Sequence, residues 1–111
     1  MTNMEVGIDI IERNRINEKN EKWLIERFLS EAEREELSKN DKKVNEYLCG
    51  RWAAKEAIYK ALNPKEKIDY SEISVLNDES GKPYVIYKNY EIKISISHEI
   101  NYAVAVAILV D

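Results

Sequence analysis

Arg51-Trp52-Ala53-Ala54-Lys55-Glu56-Ala57-Ile58-Tyr59-Lys60-Ala61-Leu62 is a run of strong helix formers carrying four alanines, and Asn63-Pro64 stops it. A proline disfavours helical geometry in the residue before it, so the pattern predicts one helix over 47–62. At about 100° per residue, Glu56 and Lys60 lie one turn apart on the side of Trp52. Arg51 and Lys55 form a second one-turn pair displaced around the cylinder. The helix therefore offers one carboxylate among several cations. On a wet surface such a Glu-to-Lys pair is worth only about 0.3 to 0.5 kcal/mol, so spacing alone does not make it a site.

Outward from this helix the chain reads as α+β. On the N-terminal side, Glu5-Val6-Gly7-Ile8-Asp9-Ile10-Ile11 is rich in isoleucine and lacks helix signals, which predicts a strand interrupted by one carboxylate, Asp9. Between Asn20 and Ser38, charged and apolar residues recur at helical spacing, with Trp23, Leu24, Phe28 and Leu29 as the apolar stripe. Ser30 followed by Glu33 is a capping-box pair that divides this stretch into two amphipathic helices. The polar stretch from Lys39 to Val44 reads as a loop.

On the C-terminal side the period shortens to two. Ile73 to Leu76 and Tyr84 to Tyr87 form a hairpin across the turn Asp78-Glu79-Ser80-Gly81. Two longer strands follow, Glu91 to His98 and Tyr102 to Val110, joined by Glu99-Ile100-Asn101. In the last strand Tyr102, Val104, Val106, Ile108 and Val110 alternate with Ala103, Ala105 and Ala107. The alanine face lets a helix approach closely, and Ala53, Ala54, Ala57 and Ala61 suit it. The expected architecture is an antiparallel sheet packed against helices.

The chain has 111 residues, enough for a single domain over 1–111 that buries a core without disulfides or a structural metal. A net charge of −4 argues against a dedicated nucleic-acid binder, whose affinity rests on a strongly basic surface. One cysteine and no apolar leader predict a reducing cytoplasm, and no apolar run approaches the roughly 20 residues of a membrane-spanning helix.

Three positions can carry chemistry. A carboxylate between Ile8 and Ile10 costs free energy if buried alone, so Asp9 calls for a cation, hydrogen bonds or solvent. A divalent metal shared with Glu56 is one answer, and a capping role at the strand end is the other. His98, the only histidine, continues the face of Ile92, Ile94 and Ile96, where a lone histidine is more often structural than catalytic; with no second His or Cys set, zinc is not expected. Cys49 and Ser97 lack the neighbours that activate a nucleophile.

Taken together, Gly7-Ile8-Asp9-Ile10-Ile11-Glu12-Arg13-Asn14-Arg15-Ile16, the Arg51-to-Leu62 run, and Ser95-Ile96-Ser97-His98 with Tyr102-Ala103-Val104-Ala105 resemble the 4′-phosphopantetheinyl transferases, specifically the holo-acyl-carrier-protein synthase type. The resemblance covers nearly the whole chain, and the W-x-x-K-E-A-x-x-K-A core is its most specific part. It implies a transferase that moves the 4′-phosphopantetheine arm of coenzyme A to a serine of an apo carrier protein, releasing 3′,5′-ADP. It also implies a homotrimer with sites between subunits, and a place in lipid metabolism such as fatty acid biosynthesis. By the same resemblance Asp9 and Glu56 hold Mg²⁺, Lys60 contacts phosphate oxygens, and Arg51 and His98 bind the nucleotide end. Arg15, with Arg13 and Arg27, meets the acidic carrier helix. The identity of the serine's base stays open between a metal-activated water and a nearby carboxylate.

The chain departs from the family pattern at two places, and it lacks the acidic pair of the tandem-copy type. No glycine follows Leu62, where Asn63-Pro64-Lys65-Glu66-Lys67 stands; Trp52 replaces the commoner phenylalanine; and Ile11 occupies the second acidic position of the tandem-copy type. The altered loop motivates a rival expectation, a non-catalytic module that binds carrier proteins or coenzyme A without transfer. A nucleotide phosphohydrolase is a third.

Overall fold

The computed structural model describes residues 3–39 and 43–110, so part of the loop expected from Lys39 to Val44 lies outside the described residues. A strand β1 (Met4–Glu12) opens the fold and a 3₁₀ turn (Arg13–Arg15) follows it. Helix α1 (Glu21–Trp23) passes into a π-helical turn (Leu24–Phe28), and α2 (Glu31–Lys39) and the long α3 (Val44–Leu62) come next. After a second 3₁₀ turn (Tyr70–Glu72), strands β2 (Ser74–Asn77), β3 (Pro83–Ile86), β4 (Glu91–His98) and β5 (Tyr102–Val110) complete the chain. The α+β expectation holds.

Strands β1, β5 and β4 form one antiparallel sheet in that order, and β2 and β3 form a separate hairpin. The alternation read from β5 is the one observed. Ala103, Ala105 and Ala107 are buried against α3, whose Ala53, Ala54, Ala57 and Ala61 are buried with them. Small side chains on both sides bring helix and sheet unusually close. At Gly7 an added Cβ would lie 1.9 Å from the carbonyl oxygen of Ala57. No side chain fits there, so β1 rests directly on the α3 backbone.

The capping box forms as its sequence predicts. The Ser30 amide donates to Glu33 Oε1 at 2.8 Å, and the Glu33 amide donates to Ser30 Oγ at 3.1 Å. Of the predicted stripe, Leu24, Phe28 and Leu29 are buried, whereas Trp23 is mostly exposed. The C-terminus of α3 is closed by Asn63 in the left-handed region (φ 45°), whose amide donates to the Tyr59 carbonyl, and Pro64 prevents continuation. Gly81, with φ of 90°, supplies the positive φ that the β2–β3 turn requires.

Helix α2 fastens the hairpin by polar contacts. Glu33 Oε2 accepts from the Val75 amide and Glu36 Oε2 from the Asn77 amide, at 2.8 and 2.9 Å. Arg51 Nε donates to the Val75 carbonyl at 2.8 Å. The outer edge of β2 is thereby satisfied by side chains instead of a further strand.

Candidate active site

Strand alternation decides where Asp9 points. It shares a sheet face with Gly7 and Ile11, so its carboxylate enters the seam between β1 and α3. There Lys60 Nζ contacts Asp9 Oδ1 at 3.3 Å and donates to the Ile8 carbonyl at 3.0 Å. Lys60 thus turns across to β1 as well as standing one turn from Glu56. Asp9 Oδ2 is buried and, among the described residues, has no hydrogen-bond partner. A carboxylate oxygen left in that state is an acceptor awaiting a donor or a cation.

Glu56 is half-buried on α3, one turn before Lys60. Tyr70, a residue that the sequence reading did not single out, feels the charge of both carboxylates. Burial raises the Tyr70 phenol well above its ordinary value, and the charge and hydrogen bond of Glu56, then Tyr59 and the charge of Asp9, add to that. Only its position between two chain elements identifies Tyr70, and no local motif marks it.

An open groove of about 880 Å³ begins at this cluster, with Tyr59 and Tyr70 on one wall and Trp23, Arg27 and Phe28 on another. Lys65 and Lys67, from the glycine-free stretch after α3, line its rim. The groove combines aromatic walls with the charges of Arg27, Lys65, Lys67, Glu66 and Asp69, and Tyr70 is the residue that links it to the carboxylates.

The second expected cluster forms elsewhere. Arg51 and His98 line a smaller cavity of about 280 Å³ with Lys43, Glu46, Tyr47 and Asn77. Arg51 is buried and heavily engaged: beyond Val75, its Nη2 reaches Asn77 Oδ1 at 3.1 Å and Glu36 Oε1 at 3.3 Å, and the guanidinium stacks on Tyr47 at 4.2 Å. The His98 ring packs over Gly50, where an added Cβ would lie 2.8 Å from its Cε1. Burial pushes the His98 pKa down; the Glu46 carboxylate opposes this, and the nearby Arg51 and Arg13 charges reinforce it. Arg51 and Glu56 are five residues apart, about 140° around the helix. Within one chain the two clusters open in different directions.

The three arginines expected on the carrier surface differ in freedom. Arg15 is exposed, its guanidinium 4.7 Å above the Trp52 ring. Arg27 is exposed on the large groove. Arg13 is half-buried and donates to Asn45 Oδ1 at 3.0 Å and to the Ile100 carbonyl at 3.2 Å.

Lys55 takes no part in either cluster. It is fully buried and bonded to Glu33 at 2.6 Å, with further donation to the carbonyls of Phe28 and Tyr70 at 3.0 and 2.8 Å. Burial pushes its pKa down while Glu33 pulls it back up.

A sheet seated on an alanine-lined helix, with paired carboxylates and a lysine at the seam, defines the class. The chain belongs to the 4′-phosphopantetheinyl transferase superfamily, whose family model matches residues 5–107. It is 40% identical over 119 residues to a holo-[acyl-carrier-protein] synthase of Petrotoga mobilis, covering 96% of this chain and 95% of that one. A holo-[acyl-carrier-protein] synthase of Chlorobaculum parvum is 43% identical over 116 residues, covering 96% and 97%. In three dimensions the chain is similar to a Bacillus anthracis holo-(acyl-carrier-protein) synthase crystallised in complex with CoA (3′,5′-ADP). That match has a TM-score of 0.84 at 39% identity, and covers 96% of each chain.

Proposed function

We propose that this chain transfers the 4′-phosphopantetheine moiety of coenzyme A to a serine of an apo acyl carrier protein and releases 3′,5′-ADP. The observation that carries the site assignment is the buried, unpartnered Oδ2 of Asp9 beside Glu56 and Lys60. In the reaction the serine oxygen forms a bond to the phosphorus bearing the pantetheine arm. The bond from that phosphorus to the oxygen of 3′,5′-ADP breaks, and the serine proton leaves to a base.

Each side chain has a task in that displacement. Asp9 and Glu56 fit a divalent cation of the Mg²⁺ kind, because two oxygen ligands from separate elements converge and one of them lacks any other partner. Bound there, Mg²⁺ would neutralise pyrophosphate charge and activate the leaving group. Lys60 is half-exposed, so its ammonium can turn from Asp9 to a phosphate oxygen once a bound cation offsets the Asp9 charge. The aromatic groove gives the pantetheine arm an apolar path.

Arg51 and His98 are assigned to the nucleotide end of coenzyme A. They open away from the carboxylates, which supports a site assembled from two subunits of a homotrimer. The outer face of the sheet supports the same assembly: Val6, Ile8 and Ile10 of β1 are more than half exposed and pair across strands with Ile108, Val106 and Val104 of β5. An apolar sheet face of this kind marks an interface. Arg15 and Arg27 are assigned to the acidic helix of the carrier protein, with Arg13 bracing the turn that carries Arg15. Among the described residues no helix is long and apolar enough to cross a membrane. A single buried cysteine, Cys49, suits the reducing cytoplasm in which we place the reaction.

Intact mass of an apo acyl carrier protein after incubation with this protein, coenzyme A and Mg²⁺ tests the proposal. The expected result is a gain of one phosphopantetheine arm that EDTA suppresses. No gain with several carrier proteins, despite coenzyme A binding, would replace the enzyme with a binding module.

A further inference from the structure

Lys55 stands behind the large groove and joins its two walls. Phe28 lies on one wall and Tyr70 on the other. Lys55 Nζ donates to the main-chain carbonyl of each, at 3.0 and 2.8 Å, and lies 4.9 Å from the centre of the Phe28 ring. Its third proton goes to Glu33 Oε1 at 2.6 Å, so every ammonium donor has an acceptor. Glu33 is held in turn, accepting from the Ser30 and Val75 amides at 2.8 Å each.

The walls themselves are short. Phe28 ends a π-helical turn of five residues, where carbonyls lack partners within the helix, and Tyr70 opens a 3₁₀ turn of three. Turns of this length do not persist alone, so what bonds them to α3 sets their separation. The Phe28 and Tyr70 rings meet edge-on at 5.6 Å, and a shift of either turn therefore changes the groove. Stability alone does not call for a charge here. A fully buried ion pair can often be replaced by apolar residues of similar volume without loss. An apolar residue cannot supply donors to two carbonyls from separate turns.

We propose that Lys55 is a positioning residue for the pantetheine arm of coenzyme A. Its ammonium ties Phe28 to Tyr70 and fixes the width of the groove that the arm enters, while touching no substrate itself. This inference rests on the assignment of the groove to the arm. A preformed groove spares the arm the cost of ordering the aromatic walls on binding. 3′,5′-ADP carries no arm, so its binding does not depend on that width.

Lys55→Met combined with Glu33→Gln removes the tie without stranding the Glu33 charge, and Lys55→Gln combined with Glu33→Gln keeps an amide that can donate. Isothermal titration calorimetry of wild type and both double variants, with folding checked by circular dichroism, compares coenzyme A with 3′,5′-ADP. The expected result for Lys55→Met/Glu33→Gln is a Kd for coenzyme A raised about tenfold, the scale of one or two side chains ordered on binding, with the Kd for 3′,5′-ADP unchanged. Lys55→Gln/Glu33→Gln should fall between this and wild type. Wild-type affinity for coenzyme A in Lys55→Met/Glu33→Gln, or equal weakening of both ligands, overturns the positioning role and leaves the assignment of the groove standing. Loss of the fold in both double variants assigns Lys55 to the core alone and overturns the role as well. A wild-type protein that binds coenzyme A no more tightly than 3′,5′-ADP overturns the path of the arm and this inference with it.

Discussion

Asp9 Oδ2 is a buried acceptor with no donor, a state that costs roughly 1 to 3 kcal/mol. The compensating contact, Lys60 at 3.3 Å on Oδ1, involves a half-exposed ammonium and is worth about 1 kcal/mol at most. On these magnitudes Asp9 costs the fold stability, as the metal-binding role proposed for it would require. Asp9→Ala should abolish Mg²⁺-dependent transfer while leaving Tm unchanged or slightly raised in differential scanning fluorimetry. A Tm several degrees lower would mean that Asp9 is structural. His98 gives a pH signature at the same scale. Burial holds its folded pKa below the unfolded value near 6.5, so the folded state binds fewer protons through that window. The stability it contributes is present above about pH 6.5 and is lost as pH falls towards the folded pKa. Between pH 7.5 and 5.5, wild-type Tm should fall more than that of His98→Gln, since the carboxylate contributions are common to both. Equal slopes would show that burial does not hold the His98 pKa down.

Among the elements, the strands were readable because side-chain alternation and turn residues fix their ends independently. Glu91 to His98 and Tyr102 to Val110 were predicted with the bounds observed, and the Ser30–Glu33 box divides the helices where the sequence places the division. Lys55 was misread as part of a cationic helix face, because charge was weighed above position. Leu48, Arg51, Lys55, Ile58 and Leu62 follow the three-and-four spacing of a core-facing stripe, a signal that both cations lie inward. The partners that make this burial tolerable, Glu33 and Glu36 of α2, are distant in sequence and could not be paired with them by spacing. Removing one member of such a pair leaves the other charge stranded, so Lys55→Met should cost about 3 to 5 kcal/mol by urea denaturation. A loss under 1 kcal/mol would show that Glu33 finds another partner. Gly7 was quoted for its motif, but its physical reason is visible only in the packing. With the Ala57 carbonyl 1.9 Å from an added Cβ, Gly7→Ala must push β1 off α3, at about 3 kcal/mol or more, and carry Asp9 with it. Stability and transfer should therefore fall together. A variant with normal transfer would contradict the close seat of β1.

For the molecule as a whole, the two displaced pairs read along the helix become two clusters facing different ways, because β1 brings Asp9 to Lys60 while β4 brings His98 to the side of Arg51. A helix places Arg51 and Glu56 about 140° apart whatever surrounds it, so no rearrangement short of unwinding α3 unites them. Symmetry does so without strain if a neighbouring copy presents Arg51 and His98 to the groove beside Asp9, Glu56 and Lys60. The outward row Val6, Ile8 and Ile10 with Val104, Val106 and Ile108 is the surface that such copies would bury. Val6→Asp should then give monomers by light scattering, folded by circular dichroism but inactive, because each site has lost half its residues. Complementation distinguishes this from mere destabilisation. Glu56→Gln and His98→Ala each remove one half, so each homotrimer should be impaired. Subunits mixed one to one and allowed to exchange should regain roughly a quarter of the wild-type rate, since one junction in four pairs an intact Glu56 with an intact His98. A mixture no more active than its components would place the whole site within one chain.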